Sequence, residues 1–121
     1  MPVETISGLP DNVVGVIAKG KVRGEDYEDV IDPAVDAALA NHDKVRFLYV
    51  LGADFDGYTG DASWEDGKLG MKHITSWEKI AFVSDKDWIR NSVNVMGYLI
   101  PGKVKSFSLD DEADARAWIL T

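Results

Sequence analysis

Residues 79–109 read KIAFVSDKDWIRNSVNVMGYLIPGKVKSFSL, and this stretch decides the fold class. Lys79 to Ser84 (KIAFVS) is an apolar run of strand length. Asp85 or Asp87 offers a carboxylate to the free N–H groups at a helix start. The helix runs to about Leu99, where Pro101 and Gly102 end it. Val104 to Leu109 is a second strand. A strand, a helix and a strand in succession form a crossover, which returns the chain to the same end of the sheet and makes the strands parallel.

Working upstream, Val45 to Leu51 (VRFLYVL) is another strand, and Gly52 to Gly60 (GADFDGYTG) reads as a loop rich in Gly and Asp. Asp61 is placed to cap a helix running to about Thr75, with Trp64, Gly67, Met71 and Ile74 on one side. Gly24 to Asn41 is helical, because Tyr27, Val30, Ile31, Ala34, Val35, Ala38 and Leu39 recur at spacings of three and four. Pro33 interrupts it; the reading favours one kinked helix over two, the second capped by Asp32. Val13 to Lys19 (VVGVIAK) is a β-branched run expected in a buried strand. Val3 to Leu9 is an edge strand forming a hairpin with it through Gly8, Pro10, Asp11 and Asn12. Downstream, Asp110 or Asp111 opens a last helix that packs through Ala113, Ala117, Trp118 and Ile119. The order is β-β-α-β-α-β-α-β-α, an α/β fold with a mainly parallel sheet and the first strand as an antiparallel edge.

The 121 residues are expected to form one domain, with no internal repeat or linker. Thirteen basic and 21 acidic residues give a net charge of -8, which repels polyanions, so no nucleic-acid partner is expected. The absence of cysteine removes disulfides, thiolate metal sites and thiol nucleophiles, and agrees with a cytoplasmic location. Met1 to Asp11 has no signal-peptide pattern, and no apolar run approaches the roughly 20 residues of a membrane span.

The helix from Asp87 carries more apolar surface than one sheet can cover. Ile89, Val93, Met96 and Ile100 share a narrow face that suffices for packing. Trp88, Val95 and Leu99 form a second stripe roughly 100° away, with Tyr98 beyond it. Either neighbouring helices cover that stripe, or it lines a cleft, meets a partner or touches a membrane. Tyr58, Trp64 and Trp77, next to the Gly-rich loop, suggest a movable lid. Lys68, Lys72, Lys79 and Lys86 read as a solvated face or as a cationic rim beside the cleft.

Catalytic and metal patterns fail. Asp54, Asp56 and Glu65 match the first, third and twelfth places of a calcium loop, but Tyr58 and Thr59 break the pattern. His42 and His73 lack ligand spacing, and His73 reads as a surface residue or an anion contact. The glycines make no phosphate loop, and Ser63 has no paired base. No catalytic residue, metal or cofactor is expected.

An ordered set of segments carries a family resemblance. It comprises Glu25-Asp26-Tyr27, Asp32-Pro33-Ala34, Val45-Arg46-Phe47-Leu48, Phe55-Asp56-Gly57, Ala62-Ser63-Trp64-Glu65-Asp66 and Gly70-Met71-Lys72-His73. Residues 77–88, Pro101-Gly102-Lys103-Val104 and Ala115-Arg116-Ala117-Trp118-Ile119 complete it. The chain resembles the SpoIIAA-like proteins, which are related to STAS domains and similar in fold to CRAL-TRIO lipid-binding modules. The resemblance implies a five-stranded mixed sheet with four helices and no established enzymatic activity. It implies a small apolar ligand or membrane lipid by analogy with the CRAL-TRIO pocket, a fold-level warrant. STAS regulators carry a phosphorylated Ser in a DSSG-like motif where the third strand leads into the next helix. Here that region reads Gly60-Asp61-Ala62-Ser63-Trp64; Ser63 is a loose counterpart and Thr59 another.

The leading expectation is a non-enzymatic module for a small apolar or lipid-like ligand, with peripheral membrane contact as an extension. The cleft lies between the helices from Asp61 and Asp87. Trp64, Met71, Trp88, Val95, Met96 and Leu99 supply apolar walls; Tyr58, Lys68, Lys72 and His73 are the polar contacts. Gly57, Gly60, Gly97 and Gly102 are the expected hinges. The alternative is a STAS-type regulatory interaction module at the same helices, phosphorylated at Ser63 or Thr59. Homodimerisation through the Trp88–Val95–Leu99 stripe competes for that surface.

Overall fold

The computed structural model describes residues 3–121. A short strand β1 (Val3–Thr5) pairs antiparallel with β2 (Val13–Val22). Helix α1 (Gly24–Asp26) runs through a π-helical turn (Tyr27–Ile31) into α2 (Asp32–Leu39). Then follow β3 (Val45–Tyr58), α3 (Gly60–Lys72), β4 (Trp77–Val83), α4 (Asp87–Met96) and β5 (Lys103–Phe107). A 3-10 turn (Leu109–Asp111) leads into α5 (Glu112–Leu120). Counting α1 to α2 as one helical run, this is the expected order of five strands and four helices.

The strands lie in the order β1-β2-β3-β4-β5, and β2 to β5 are parallel. Each crossover therefore steps the same way across the sheet. Right-handed crossovers then stack their helices on one face. The main core agrees: Tyr27, Ile31 and Val35, Ala62 and Leu69, and Ile89 and Val93 pack on Val16, Phe47, Tyr49 and Trp77. After β5, α5 returns over the opposite face, placing Ala115 and Ile119 against Leu48, Val50, Ala81 and Val83. Ile6 and Leu9 extend that cover over β2, where a Cβ on Gly15 would lie 2.4 Å from Leu9 Cδ1.

Three expectations about elements change. First, β1 stops at Thr5 instead of Leu9, because the chain turns at Gly8 (φ 82°). Second, Gly52 to Gly60 is not a loop. Strand β3 continues to Tyr58, paired with β2 at Gly20↔Phe55 and Val22↔Tyr58 through two register shifts. Gly20 (φ 63°) and Gly57 (φ 100°) supply the left-handed backbone those irregularities need. Third, Trp77 belongs to β4, not to a lid; its ring is buried and donates from Nε1 to Gly70 O at 3.2 Å. At Pro33, the π-helical turn bonds Asp32 N–H to Tyr27 O just before the residue that lacks a donor. The run stays unbroken, in line with one helix instead of two.

Candidate functional site

Helix α3 begins at Thr59, whose hydroxyl accepts the Ala62 N–H at 3.3 Å. Asp61, expected as the cap, is already inside the first turn; its Oδ1 accepts the same N–H at 3.1 Å and the Thr59 hydroxyl. These bonds hold the Asp61 carboxyl below the usual carboxylate range. The helix ends at Lys72, short of Thr75, where Ser76 N–H turns back to His73 O at 2.8 Å.

Helix α4 starts after Lys86, whose N–H donates to Ser84 Oγ at 3.0 Å. Arg90 secures its first turn by donating to Ser84 O at 2.6 Å and pairing with Asp87. Ile89 and Val93 are buried on the sheet, and Ser106 Oγ donates to Asn94 Oδ1 at 2.9 Å, tying α4 to β5. The regular helix stops at Met96, not Leu99; Tyr98 and Leu99 follow in turns bonded to Val95 O and Met96 O.

Helix α3 leans on α1 and β3, whereas α4 leans on β4 and β5. A cleft separates them. Its inner chamber, about 60 Å³, is floored by Phe47, Tyr49, Trp77, Ile80, Phe82 and Val104. The floor aromatics are in contact, with centroids 5.5 Å apart for Phe47–Tyr49 and 5.0 Å for Tyr49–Phe82. An outer groove of about 320 Å³ lies above, between Ser63, Gly67, Met71 and Ile74 of the α3 side and Leu99. Asp66, Gly70, Met96 and Ile100 border both levels.

Asp66 carries the electrostatics of the cleft. Its Oδ1 accepts the Tyr27 hydroxyl at 2.8 Å, and that hydroxyl lies 3.1 Å from the Tyr49 hydroxyl. Burial raises the Asp66 carboxyl above its ordinary range, against the pull of the Tyr27 bond. Burial likewise raises Tyr27, Tyr49 and Tyr58, so all three phenols stay neutral. Sequence reading gave Tyr27 a packing role and named both residues only within the segments that carry the family resemblance, not as site residues. Contacts between residues 39 positions apart leave no local pattern to find.

The sequence-predicted site residues are spread over several surfaces. Met71, Met96 and Leu99 line the cleft, and Ser63 stands at its rim. Trp88, Val95 and Leu99 are 60%, 64% and 69% exposed, so the protomer's own helices do not cover the second stripe. Trp64 and Tyr98 are exposed as well. Tyr58 lies against Phe55 and near the tyrosine hydroxyls, and does not line the cleft. Lys68, Lys72 and His73 are not at the cleft rim; they line a separate hollow of about 520 Å³ with Asp32, Asp36 and Glu65. There His73 Nε2 lies 3.7 Å from Asp36, and burial followed by the Glu65 and Asp36 charges raises the Asp32 carboxyl. Lys79 is on the opposite face, where it and Arg46 donate to Trp118 O (3.3 Å) and Ile119 O (2.9 Å) at the C-terminal end of α5.

The expected hinges have other duties. A Cβ on Gly102 would sit 2.1 Å from Trp77 O, so this glycine allows the loop to press on β4. Gly97 packs near Val104, and Gly57 serves the β3 ladder. Gly60 opens α3 with free space around it. Among the described residues no three His, Cys, Asp or Glu side chains are grouped for a metal ion, and no helix is long and apolar enough to cross a membrane.

A family model described as SpoIIAA-like matches residues 13–120. The chain belongs to the SpoIIAA-like family. A solved structure of an uncharacterised protein with a SpoIIAA-like fold from Shewanella loihica PV-4 is 28% identical, with a TM-score of 0.74. The match covers 97% of this chain and 91% of that one. The comparison with curated proteins found no match. The SpoIIAA-like fold supports a regulatory module. In this SpoIIAA-like chain Ser63 is exposed in the first turn of α3, while the Thr59 hydroxyl is engaged in the cap.

Proposed function

We propose that this SpoIIAA-like chain is a non-catalytic regulatory module that docks a protein partner on the α3–α4 face. The carrying observation is the exposure of Trp88, Val95 and Leu99 on a helix that has already buried Ile89 and Val93. Covering three such side chains contributes roughly 1.5–3 kcal/mol each, enough to anchor an interface before entropy costs. Met71 on α3 widens the apolar surface across the cleft, and Trp64 is exposed on the same helix. Ser63, exposed near the N-terminus of α3, is the proposed control point; a phosphate there would place negative charge near the positive end of the helix dipole.

The test is affinity capture from native cells, with wild type, Leu99→Lys and Leu120→Lys as baits. Leu120 is exposed on α5, behind the sheet. The expected result is a partner kept by Leu120→Lys and lost by Leu99→Lys, then reproduced with purified proteins. A partner lost only by Leu120→Lys would place the working face elsewhere. Light scattering of the purified baits identifies the case in which the partner is a second copy.

A second reading, a small apolar ligand in the cleft, is favoured by the groove's largely apolar lining. Its volume, about 320 Å³, is near the lower end of small-molecule sites. The 60 Å³ inner chamber is too small for a lipid tail without repacking, which weighs toward the protein partner.

A further inference from the structure

The geometry points to a hydrophobic amine as the small ligand of the α3–α4 cleft, its ammonium at the Asp66 carboxylate and its apolar body along the groove. This rests on the small-ligand reading above and names its chemical class.

The first ground is charge. Among the residues lining the two levels of the cleft, Asp66 is the one acid, and none of them is a Lys, Arg or His; burial disfavours its negative charge, which an ammonium beside it would restore. A fatty acid would bring its carboxylate to another carboxylate, whereas an ammonium would meet its complement. The overall charge of -8 adds a field that attracts cations.

The second ground is an unfilled valence. Oδ1 accepts from Tyr27, but Oδ2 has no hydrogen-bond donor among the described residues, and no Lys, Arg or His forms an ion pair with Asp66 there. A half-buried carboxylate normally has a cation or several donors. Tyr27 bonds Asp66 and Tyr49 bonds Tyr27, and both phenols are neutral, so neither supplies a positive charge to this carboxyl.

The third ground is space. Gly67 and Gly70 face the cleft from the interior of α3, and a Cβ on either would meet nothing within 4 Å. Glycine in a helix interior destabilises the helix relative to alanine. Neither glycine is required by local packing or by a positive φ. Their effect is a recessed wall beside Asp66 along the groove of about 320 Å³.

The experiment is calorimetric titration of the full chain at pH 7 with octylamine, octanol and octanoate. Octylamine should bind about tenfold or more tighter than octanol, as expected of a hydrogen bond to a charged group, and octanoate more weakly than either. Asp66→Asn should bring octylamine down to the level of octanol. Gly70→Leu, which keeps the carboxylate and fills the groove, should abolish binding of both. Octanol binding as well as octylamine, or octylamine retained by Asp66→Asn, would overturn the amine assignment and leave an apolar cleft. Octylamine unaffected by Gly70→Leu would overturn the location. Failure of all three probes would overturn the small-ligand reading with it, while the partner-capture result stands apart. If Asp66→Asn does not fold, the wild-type ranking and Gly70→Leu still decide.

Discussion

Asp66 holds a carboxyl that burial pushes up, bonded to Tyr27 and lacking a cation among the described residues. In the unfolded chain that carboxyl loses its proton at an ordinary pH. Between the unfolded and the raised folded value, the folded state binds the extra proton, so stability falls as pH rises through that window. Below the unfolded value both states are protonated and the effect vanishes. Asp66→Asn, which keeps an acceptor for Tyr27, should therefore melt higher than wild type at pH 7, and the gap should close as pH falls toward 3. Thermal melts across that range check it; a gap that widens in acid would contradict the assignment. Tyr27→Phe removes the donor to Asp66 and the neighbour of the Tyr49 hydroxyl, and should cost about 1–3 kcal/mol in urea unfolding. Neither residue stood out in the sequence as a site residue. Tyr27 falls in a helical apolar face, and Asp66 follows Glu65 with no local pattern to set it apart.

Helix α4 was legible as an element with two apolar stripes, because helical periodicity is a local property. Which stripe meets the sheet follows from the βα connection: Ile89 and Val93 are inside, and Trp88, Val95 and Leu99 are outside. Ile89→Ala should cost about 2–5 kcal/mol, whereas Leu99→Lys should change stability by less than about 0.5 kcal/mol. Denaturant midpoints of the two variants separate a packing stripe from a docking stripe. In α3, Gly70→Ala should stabilise by up to about 1 kcal/mol, since the added methyl meets open space. Strand β3 shows where element reading fails. Gly52 to Gly60 has loop composition, yet β2 is long enough to pair with it, and a partner strand 30 or more residues away outweighs local propensity. The same limit hid Trp77, which the aromatic count grouped with the helices although it belongs to β4.

For the whole molecule, the order of strands and helices was readable, and with it the layers. Three right-handed crossovers stepping one way must stack three helices on one face and leave the other to α5. The sequence places a cleft between the helices from Asp61 and Asp87, where the structure has a groove, but the lining of that groove was not readable. Lys68, Lys72 and His73 point into a hollow toward α2, on the other flank of α3, because a helix presents its sides to different neighbours. The sheet decides which flank faces α4, and sequence spacing alone does not say how far apart two helices will sit on it. The α3–α4 face thus combines a groove with an uncovered apolar stripe, and both readings of function use it. The direct measurement is amide hydrogen exchange of the chain with and without its captured partner. The account predicts added protection across residues 60–72 and 87–99, with α5 unchanged. Protection gathered on α5 and the β1 edge, with α3 and α4 exchanging as before, would contradict it.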